Sequence, residues 1–381
     1  MVLVAHLADI HLGYRQYDLV EREEDVYEVF EEAVERILAE HAKLVFVAGD
    51  LFHSSKPPIR ALYVAKNGLE RLRERGVRVF CVLGDHDTPR RIGEWSPVSL
   101  FRDGLLTHVD SRVEELEVDG VRLLVAGLDK PPAVAADRAR ETLEQLSRKA
   151  ASTDAKPILL THLPLRSSAG ELSVDSLPKG FSYYALGHEH IRKTFQKHSG
   201  VAAYPGSLEI FSRDEVVEWK QNGKGFYLVD MSGSTPEIHR IDLERVRPQD
   251  VFQISLKDSL EKVVGWVSAQ RRKKPIIHLT ITDPDPDLNK IRAAVEYLRG
   301  SGCLEVRYRR MALERDISDE ELAGGGVPTF NLEELIKNSL GAAGLSAEEA
   351  DLALKLYRAF HVGGAEALQN QVMGDKPDGD R

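Results

Sequence analysis

Cysteine is almost absent from this chain of 381 residues: Cys81 and Cys303 are the only two. Thiols so far apart in sequence give neither a disulfide framework nor the spacing of a zinc site, which fits a reducing compartment. Long apolar runs are also missing, so no segment reads as a membrane span. The start, Met1 to Ala5, lacks the cationic region of a secretory signal and runs into Asp9 too early for one. The expectation is a soluble cytoplasmic protein with no membrane partner. Surplus positive charge is lacking as well: 61 acidic against 51 basic residues leave a formal net charge of −10. That excludes a protein that holds nucleic acid by bulk charge and leaves the task, if it exists, to local basic patches. There is no internal repeat, and the length exceeds one typical domain.

What is present is a run of short apolar strands alternating with amphipathic helices. Val2 to Leu7 reads as a strand, 21–40 as a helix with Val26, Val29, Phe30, Ala33 and Ile37 on one face, and Leu44 to Ala48 as a buried strand. A helix with Leu62, Ala65, Leu69 and Leu72 inward leads to the strand Val77 to Leu83. Strand, helix, strand, helix, strand predicts a parallel α/β sheet with right-handed crossovers. Arg122 to Gly127, Pro157 to Leu160 and Tyr183 to Leu186 extend the series, with a helix from Ala133 to Lys149. Val201 to Tyr204, Gly225 to Met231 and Ile238 to Leu243 alternate as antiparallel strands do, which predicts a second sheet packed on the first.

From residue 248 the composition shifts to a small α+β module, 248–312, read as strand, helix, strand, helix, strand. It carries Arg271, Arg272, Lys273 and Lys274, and then Arg307, Arg309 and Arg310, the densest basic clusters of an acidic chain. A solvated face explains such a cluster as readily as a phosphate-binding one. The glycine-rich stretch 313–328 reads as a flexible linker. Two helices follow within 329–371, one with Leu332, Leu335, Ile336 and Leu340, the other opened by the capping box Ser346-Ala347-Glu348-Glu349 and carrying Leu352, Leu356, Tyr357 and Phe360. So small a unit needs a partner for its apolar stripe. The tail, 372–381, reads as disordered.

The chemistry lies at the strand ends. Each of five predicted strands closes on ionisable groups: Asp9 and His11, Asp50, Asp85 and His86, His162, then His188 and His190. Ligands bind at the carboxyl ends of strands in open α/β sheets, and the two-residue period of a strand places Asp9 and His11 on one face. His6, on the opposite parity, reads as a core residue. A mixed carboxylate and imidazole set suits first-row divalent ions, and a bridging carboxylate permits two of them at roughly 3.5–4 Å, the separation of two-metal hydrolysis. Uncompensated, so many charged groups at one sheet edge would be costly.

Asp9-Ile10-His11-Leu12-Gly13, Gly49-Asp50-Leu51-Phe52-His53-Ser54, Gly84-Asp85-His86-Asp87, His162 and Gly187-His188-Glu189-His190 resemble, in order and type, the motifs of the calcineurin-like metallophosphoesterases. More closely the chain resembles the Mre-eleven/SbcD family of DNA double-strand-break repair nucleases, of archaeal type. The resemblance implies a two-sheet sandwich flanked by helices (1–247), a DNA-capping domain (248–312) and a C-terminal helix pair (329–371). It implies two manganese ions per subunit, one held by Asp9, His11 and His190, the other by Asp85, His162 and His188, with Asp50 between them. His86 would face the phosphate and His53 would position the DNA end, while Asp87 either orients His86 or stabilises the turn. The implied partners are DNA ends, a second copy of the chain and an SMC-type ATPase of the Rad-fifty/SbcC kind, placing the protein at the nucleoid. DNA contacts fall to Arg90, Arg91, Arg271, Arg272, Lys273 and Lys274, and ATPase contacts to Leu332, Leu335, Ile336, Leu356, Tyr357 and Phe360. The loop from Pro89 to Phe101, with Trp95, and the helix around Leu62 to Leu72 are the expected dimer surface.

One residue departs from the family pattern: Asp85 stands where Asn is usual. Its extra negative charge should strengthen metal binding and weaken the pull on a phosphate. Two other readings share these motifs in whole or part, a phosphodiesterase or phosphatase for a small nucleotide or phosphoester, and a silent scaffold that binds DNA ends.

Overall fold

The chain alternates short β-branched strands with amphipathic helices, and the computed structural model assembles them into four layers. It describes residues 1–311 except 90, 92, 167–170 and 285, and beyond them residues 346, 349, 351, 352 and 355. Met1–Met311 forms one compact unit and Ala312–Arg381 a second. In the second unit the capping box forms: the Ser346 backbone N–H donates to the Glu349 carboxylate at 2.7 Å, and the Glu349 N–H to the Ser346 hydroxyl at 3.3 Å. Arg90, Leu332, Leu335, Ile336, Leu356, Tyr357 and Phe360, the linker 313–328 and the tail 372–381 lie outside the described residues.

In chain order the first unit runs β1 (Leu3–Leu7), α1 (Val20–Ala39), β2 (Leu44–Ala48), α2 (Ile59–Glu74), β3 (Arg78–Val82), β4 (Thr107–His108), β5 (Arg112–Val118), β6 (Val121–Leu128), α3 (Ala136–Ala151), β7 (Lys156–His162) and β8 (Tyr183–Gly187). It continues with β9 (Lys193–Lys197), β10 (Gly200–Tyr204), α4 (Arg213–Asn222), β11 (Gly225–Asp230), β12 (Glu237–Asp242), β13 (Gln249–Ile254), α5 (Glu261–Ala269), β14 (Ile276–Ile281), α6 (Leu288–Gly300) and β15 (Glu305–Arg310).

Two six-stranded mixed sheets, ordered β12-β11-β1-β2-β3-β4 and β5-β6-β7-β8-β10-β9, face each other. Val4, Phe46, Phe80, Val125, Ile158, Tyr183 and Tyr227 fill the space between them. The outer face of the first sheet packs on α1 and α2 through Phe30, Ile37, Leu69 and Leu72, and that of the second on α3 through Leu143 and Leu146. This is the expected α/β sandwich flanked by helices. It buries the strands on both faces, which is why they read as continuous apolar runs. β13, β14 and β15 make a separate parallel sheet with its own core, in which Ile277, Leu279, Ile291 and Leu298 meet. The expected order of strand, helix, strand, helix, strand is found, but with every pairing parallel the module is α/β in character rather than the expected α+β, and it lies within the one compact unit Met1–Met311.

Several expectations are corrected. The first run of strands, β1, β2 and β3, is parallel in one sheet as expected, but β6, β7 and β8, which continue the series, belong to the other. β10, expected to be antiparallel, pairs parallel to β8 and antiparallel only to β9. β11 and β12 close the first sheet, with β11 antiparallel to β1, rather than building the second. Membership of a sheet is decided by which apolar faces meet across the core, and strand periodicity carries no such information. β4, β5, β9 and α4 went unread. β5 and β9 are polar, half-exposed edge strands with little apolar signal.

What this topology achieves is convergence. β1, β2 and β3 run parallel, as do β7 and β8, so the segments that leave their carboxyl ends meet at one end of the sandwich.

Candidate metal centre

The groups at those strand ends are held in unusual backbone. β1 stops at Leu7, so Asp9 and His11 do not share a strand face as their spacing suggested. Both lie beyond the strand with positive φ, 51° and 55°, and Asp50 (52°) and His188 (102°) follow suit. Left-handed backbone is uncommon for residues other than glycine. Here the backbone is held in place by cross-loop hydrogen bonds: Asp9 N–H to the Gly49 carbonyl, His11 N–H to that of Asp50, and Leu12 N–H to that of Leu51. Two glycines make the close approach possible. A Cβ on Gly84 would lie 2.2 Å from Asp50 Oδ1, and one on Gly49, itself at φ +84°, 2.3 Å from His162 Nδ1.

Around these loops the side chains form sets whose ligand-type atoms lie within 4.8 Å of one another: Asp9 with His11 and His190, Asp85 with His162 and His188, and Asp9 with Asp50 and His162. All seven expected ligands are therefore brought together. Asp50 joins the sets: its Oδ2 is 3.9 Å from His11 Nε2 and 3.5 Å from His162 Nε2, while its Oδ1 accepts from the His86 N–H at 2.8 Å. Asp9 accepts from the His188 N–H at 3.0 Å and lies 3.9 Å from His190 Nε2. Asp85 Oδ2 is 3.0 Å from His188 Nδ1 and 3.5 Å from His162 Nε2.

His162 gives the sharpest test of whether a cation fits. Fully buried, it donates through Nδ1 to the Ala48 carbonyl at 2.8 Å, which turns Nε2 toward Asp9, Asp50 and Asp85. Among the described residues that Nε2 has no hydrogen-bond partner. His11 Nε2 and His190 Nε2 face each other at 3.2 Å, a spacing natural for two donors to one ion. Orphaned nitrogens among carboxylates are what a divalent site requires, and first-row ions suit this mixture of imidazole and carboxylate. His11, His53 and His86 form a further close set, but it has no anionic donor, and His86 Nδ1 is already bonded to the His53 carbonyl at 2.8 Å.

The electrostatics follow the same plan. Burial lowers the His162 pKa, but Asp50, Asp85 and Asp9 outweigh it and push the ring up to about 10. Burial and the neighbouring imidazoles hold His11 well below its ordinary value. Burial would raise the Asp85 pKa, yet His162 and His188 pull it far below the usual carboxylate range. Asp9 is raised by burial, with Asp50 adding to the effect.

Asp87 is resolved as a turn-stabiliser: buried, it accepts from the Leu51, Phe52 and Gly84 N–H groups and ties the Asp50 and Asp85 loops together. Among the described residues no hydrogen bond links it to the His86 ring. His53 stacks on Tyr14, with ring centroids 3.8 Å apart, and on His86 at 4.8 Å, and burial with His86 lowers its pKa to about 4. His6 is a core residue as expected, its Nδ1 2.8 Å from the Tyr183 hydroxyl. Trp95 is 84% exposed.

Sequence reasoning missed Glu215 and Lys224. Glu215, on α4, lies 3.2 Å from His190 Nδ1 and so aims Nε2 at the site, and the buried Lys224 ammonium bonds Glu215 at 2.5 Å, Ser207 Oγ and the His190 carbonyl. A carboxylate behind a ligand histidine fixes its tautomer and orientation. Ser212-Arg213-Asp214-Glu215 has the pattern of a capping box and could have flagged the helix. The Glu is instead drawn to His190. Lys224 gives no local signal.

Among the basic residues, Lys273 is committed to α1, bonding Asp25 at 2.9 Å and Glu28 at 2.6 Å, and Arg272 lies 3.4 Å from Glu244. Arg91, Arg271 and Lys274 are exposed. Arg307 stacks over Tyr17 at 4.9 Å.

Comparison with known proteins agrees with this geometry. Residues 2–192 match the family model described as calcineurin-like phosphoesterase. The chain is 30% identical to the DNA double-strand break repair protein Mre11 of Methanocaldococcus jannaschii over 94% of each chain. It is 31% identical to that of Sulfurisphaera tokodaii over 88% of this chain and 87% of the relative. With the Saccharolobus solfataricus protein of the same name it shares 33% identity over 74% and 75%. This chain belongs to the calcineurin-like phosphoesterases, hydrolases of phosphate esters that suit a divalent-metal site of this kind, and within them to the Mre11 family.

Proposed function

We propose that the protein is a metal-dependent DNA nuclease that processes double-strand break ends, with two manganese ions per subunit. The observation that carries this reading is the Nε2 of buried His162, without a hydrogen-bond partner among the described residues and facing three carboxylates, with Asp50 3.9 Å from His11 of one ligand set and 3.5 Å from His162 of the other. One ion would be held by Asp9, His11 and His190, the other by Asp85, His162 and His188, with Asp50 reaching both. Bound divalent ions supply Lewis acidity to the phosphate and lower the pKa of water at the site. The chain does the rest. His86 donates through Nδ1 to the His53 carbonyl, which leaves Nε2 as the nitrogen that exchanges a proton with the leaving oxygen. His53, held by Tyr14, braces that ring and positions the DNA end. Ala48 and Glu215 orient His162 and His190 from behind.

DNA as the substrate draws support from the names of the relatives and from exposed Arg91, Arg271 and Lys274; Arg90, outside the described residues, adjoins Arg91 in sequence. Lys273 and Arg272 contribute less, since their charges are partnered on the protein. The module 248–312 caps the DNA, a second copy of the chain completes the enzyme, and residues 329–371, leucine-rich in sequence, dock on an SMC-type ATPase of the Rad-fifty/SbcC kind.

The test is degradation of linear duplex DNA with manganese, expected to disappear in His86→Gln and His188→Ala. Turnover of cyclic nucleotides without DNA cleavage would replace this reading with a small-molecule phosphodiesterase. Salt-sensitive DNA binding with no cleavage under any divalent ion would leave a scaffold.

A further inference from the structure

The metal centre opens into two cavities of about 500 Å³ each that share Asp85 and His86. One arm is lined by His53, Ser54, Lys56 and Arg91, the other by Lys130, Arg166 and Glu171 beside His188 and His190. A lone phosphoester needs one cavity over the ions. A polymer crossing the site needs an exit on each side.

Lys130 distinguishes the second arm. Its backbone is fixed just past the end of β3, the Lys130 N–H donating to the carbonyl of Leu83, two residues before Asp85 in the chain, at 2.9 Å. It is only partly exposed, yet among the described residues its ammonium has no hydrogen bond or ion pair. Of the other partly or fully buried lysines, Lys156 is capped by three carbonyls, Lys224 is paired with Glu215 and Lys273 with Asp25, while Lys197, on the edge strand β9, is among the described residues likewise without a side-chain partner. A partly exposed ammonium with no protein partner is available to a phosphate oxygen, with which a charge-assisted hydrogen bond is strong. Asp85 and Glu171 are the carboxylates that line this arm with Asp50, and Lys130 helps to lower the Asp85 pKa. Arg166 adds a second cation to the arm. Asp129-Lys130 follows the end of β6, the kind of position that flagged the metal ligands.

We propose that the Lys130 arm is a phosphate subsite, holding the backbone phosphate next to the one that reacts and so selecting a polynucleotide over a single phosphoester. The subsite rests on the nuclease reading and gives it a substrate register: reacting phosphate at the ions, neighbouring phosphate at Lys130 and Arg166.

The full-length protein carrying Lys130→Met, Lys130→Arg or Arg166→Gln is compared with the native chain on a linear oligonucleotide and on bis(p-nitrophenyl) phosphate, which has one phosphate. Loss of one charge-assisted phosphate contact should lower kcat/KM on the oligonucleotide about 10–100-fold in Lys130→Met, chiefly through KM. That loss should exceed the loss on the single-phosphate ester by about tenfold or more, with Lys130→Arg recovering most of it. Arg166→Gln should show the same asymmetry. In fluorescence anisotropy of the oligonucleotide with calcium present, the salt slope of log Kd should shrink by about one. Equal losses on both substrates, or none on either, overturn the subsite. A native chain that hydrolyses the ester and never the oligonucleotide removes the nuclease reading instead, and the salt slope then decides the subsite alone.

Discussion

Single residues set the charge balance of this site, and Asp85 and His162 do so in opposite directions. Asp85 adds a carboxylate where the family usually has Asn, 3.0 Å from His188 and 3.5 Å from His162. Asp85→Asn should weaken manganese binding by about tenfold, the scale of one partly screened charge, and raise kcat because the ions pull harder on the phosphate. Calorimetry and steady-state kinetics check both, and simultaneous loss of binding and activity would contradict the charge balance drawn here. His162 predicts a pH dependence. Its folded-state pKa, about 10, lies above the ordinary 6.5, so its ion pairs stabilise the metal-free protein fully below pH 6.5 and fade as pH rises through 10. An ion needs the neutral ring and competes with that proton. Manganese affinity should therefore climb about tenfold per pH unit in this range, with proton release visible as a dependence of binding heat on the buffer's ionisation enthalpy.

At the scale of elements, α4 is tied to the metal centre by one buried carboxylate. Burial would raise the Glu215 pKa, but Lys224 and His190 bring it down to about 2. Because that is below the ordinary 4.5, the stabilisation is complete above pH 4.5 and is lost as pH falls through 2. Glu215→Gln should cost about 3–5 kcal/mol at pH 7, leaving Lys224 buried and unpaired, and the gap from the native chain in urea denaturation should narrow in acid. The strand-end loops make a steric prediction. Gly84→Ala forces Asp50 away from a Cβ only 2.2 Å off, so metal binding measured by calorimetry should fall at least as far as in Asp85→Asn. The capping-box pattern of Ser212 to Glu215 made α4 legible in principle, whereas the polar edge strands β5 and β9 gave too little apolar contrast to read.

Across the whole molecule, Met1–Met311 is compact by itself, and residues 329–371 carry the proposed ATPase contacts. Deleting 329–371 should leave thermal stability and ester hydrolysis of the remainder near native values and abolish association with the ATPase in size-exclusion chromatography. Collapse of the melting transition instead would assign those helices to the core. No helix among the described residues is long and apolar enough to cross a membrane.

The sequence by itself determined which residues could act as ligands, because aspartate and histidine after a buried apolar strand stand out against packing, and it determined the α/β class, because period and length distinguish strands from helices. All seven expected ligands, Asp9 through His190, meet at one end of the sandwich. Only the tertiary structure decided how they meet. Asp9 and His11 converge through left-handed loop backbone rather than strand alternation, and β3 and β7 deliver Asp85 and His162 from different sheets. Glu215, Lys224 and Lys130 entered the site the same way. Their roles depend on distances between segments far apart in the chain, and local propensity does not encode such distances.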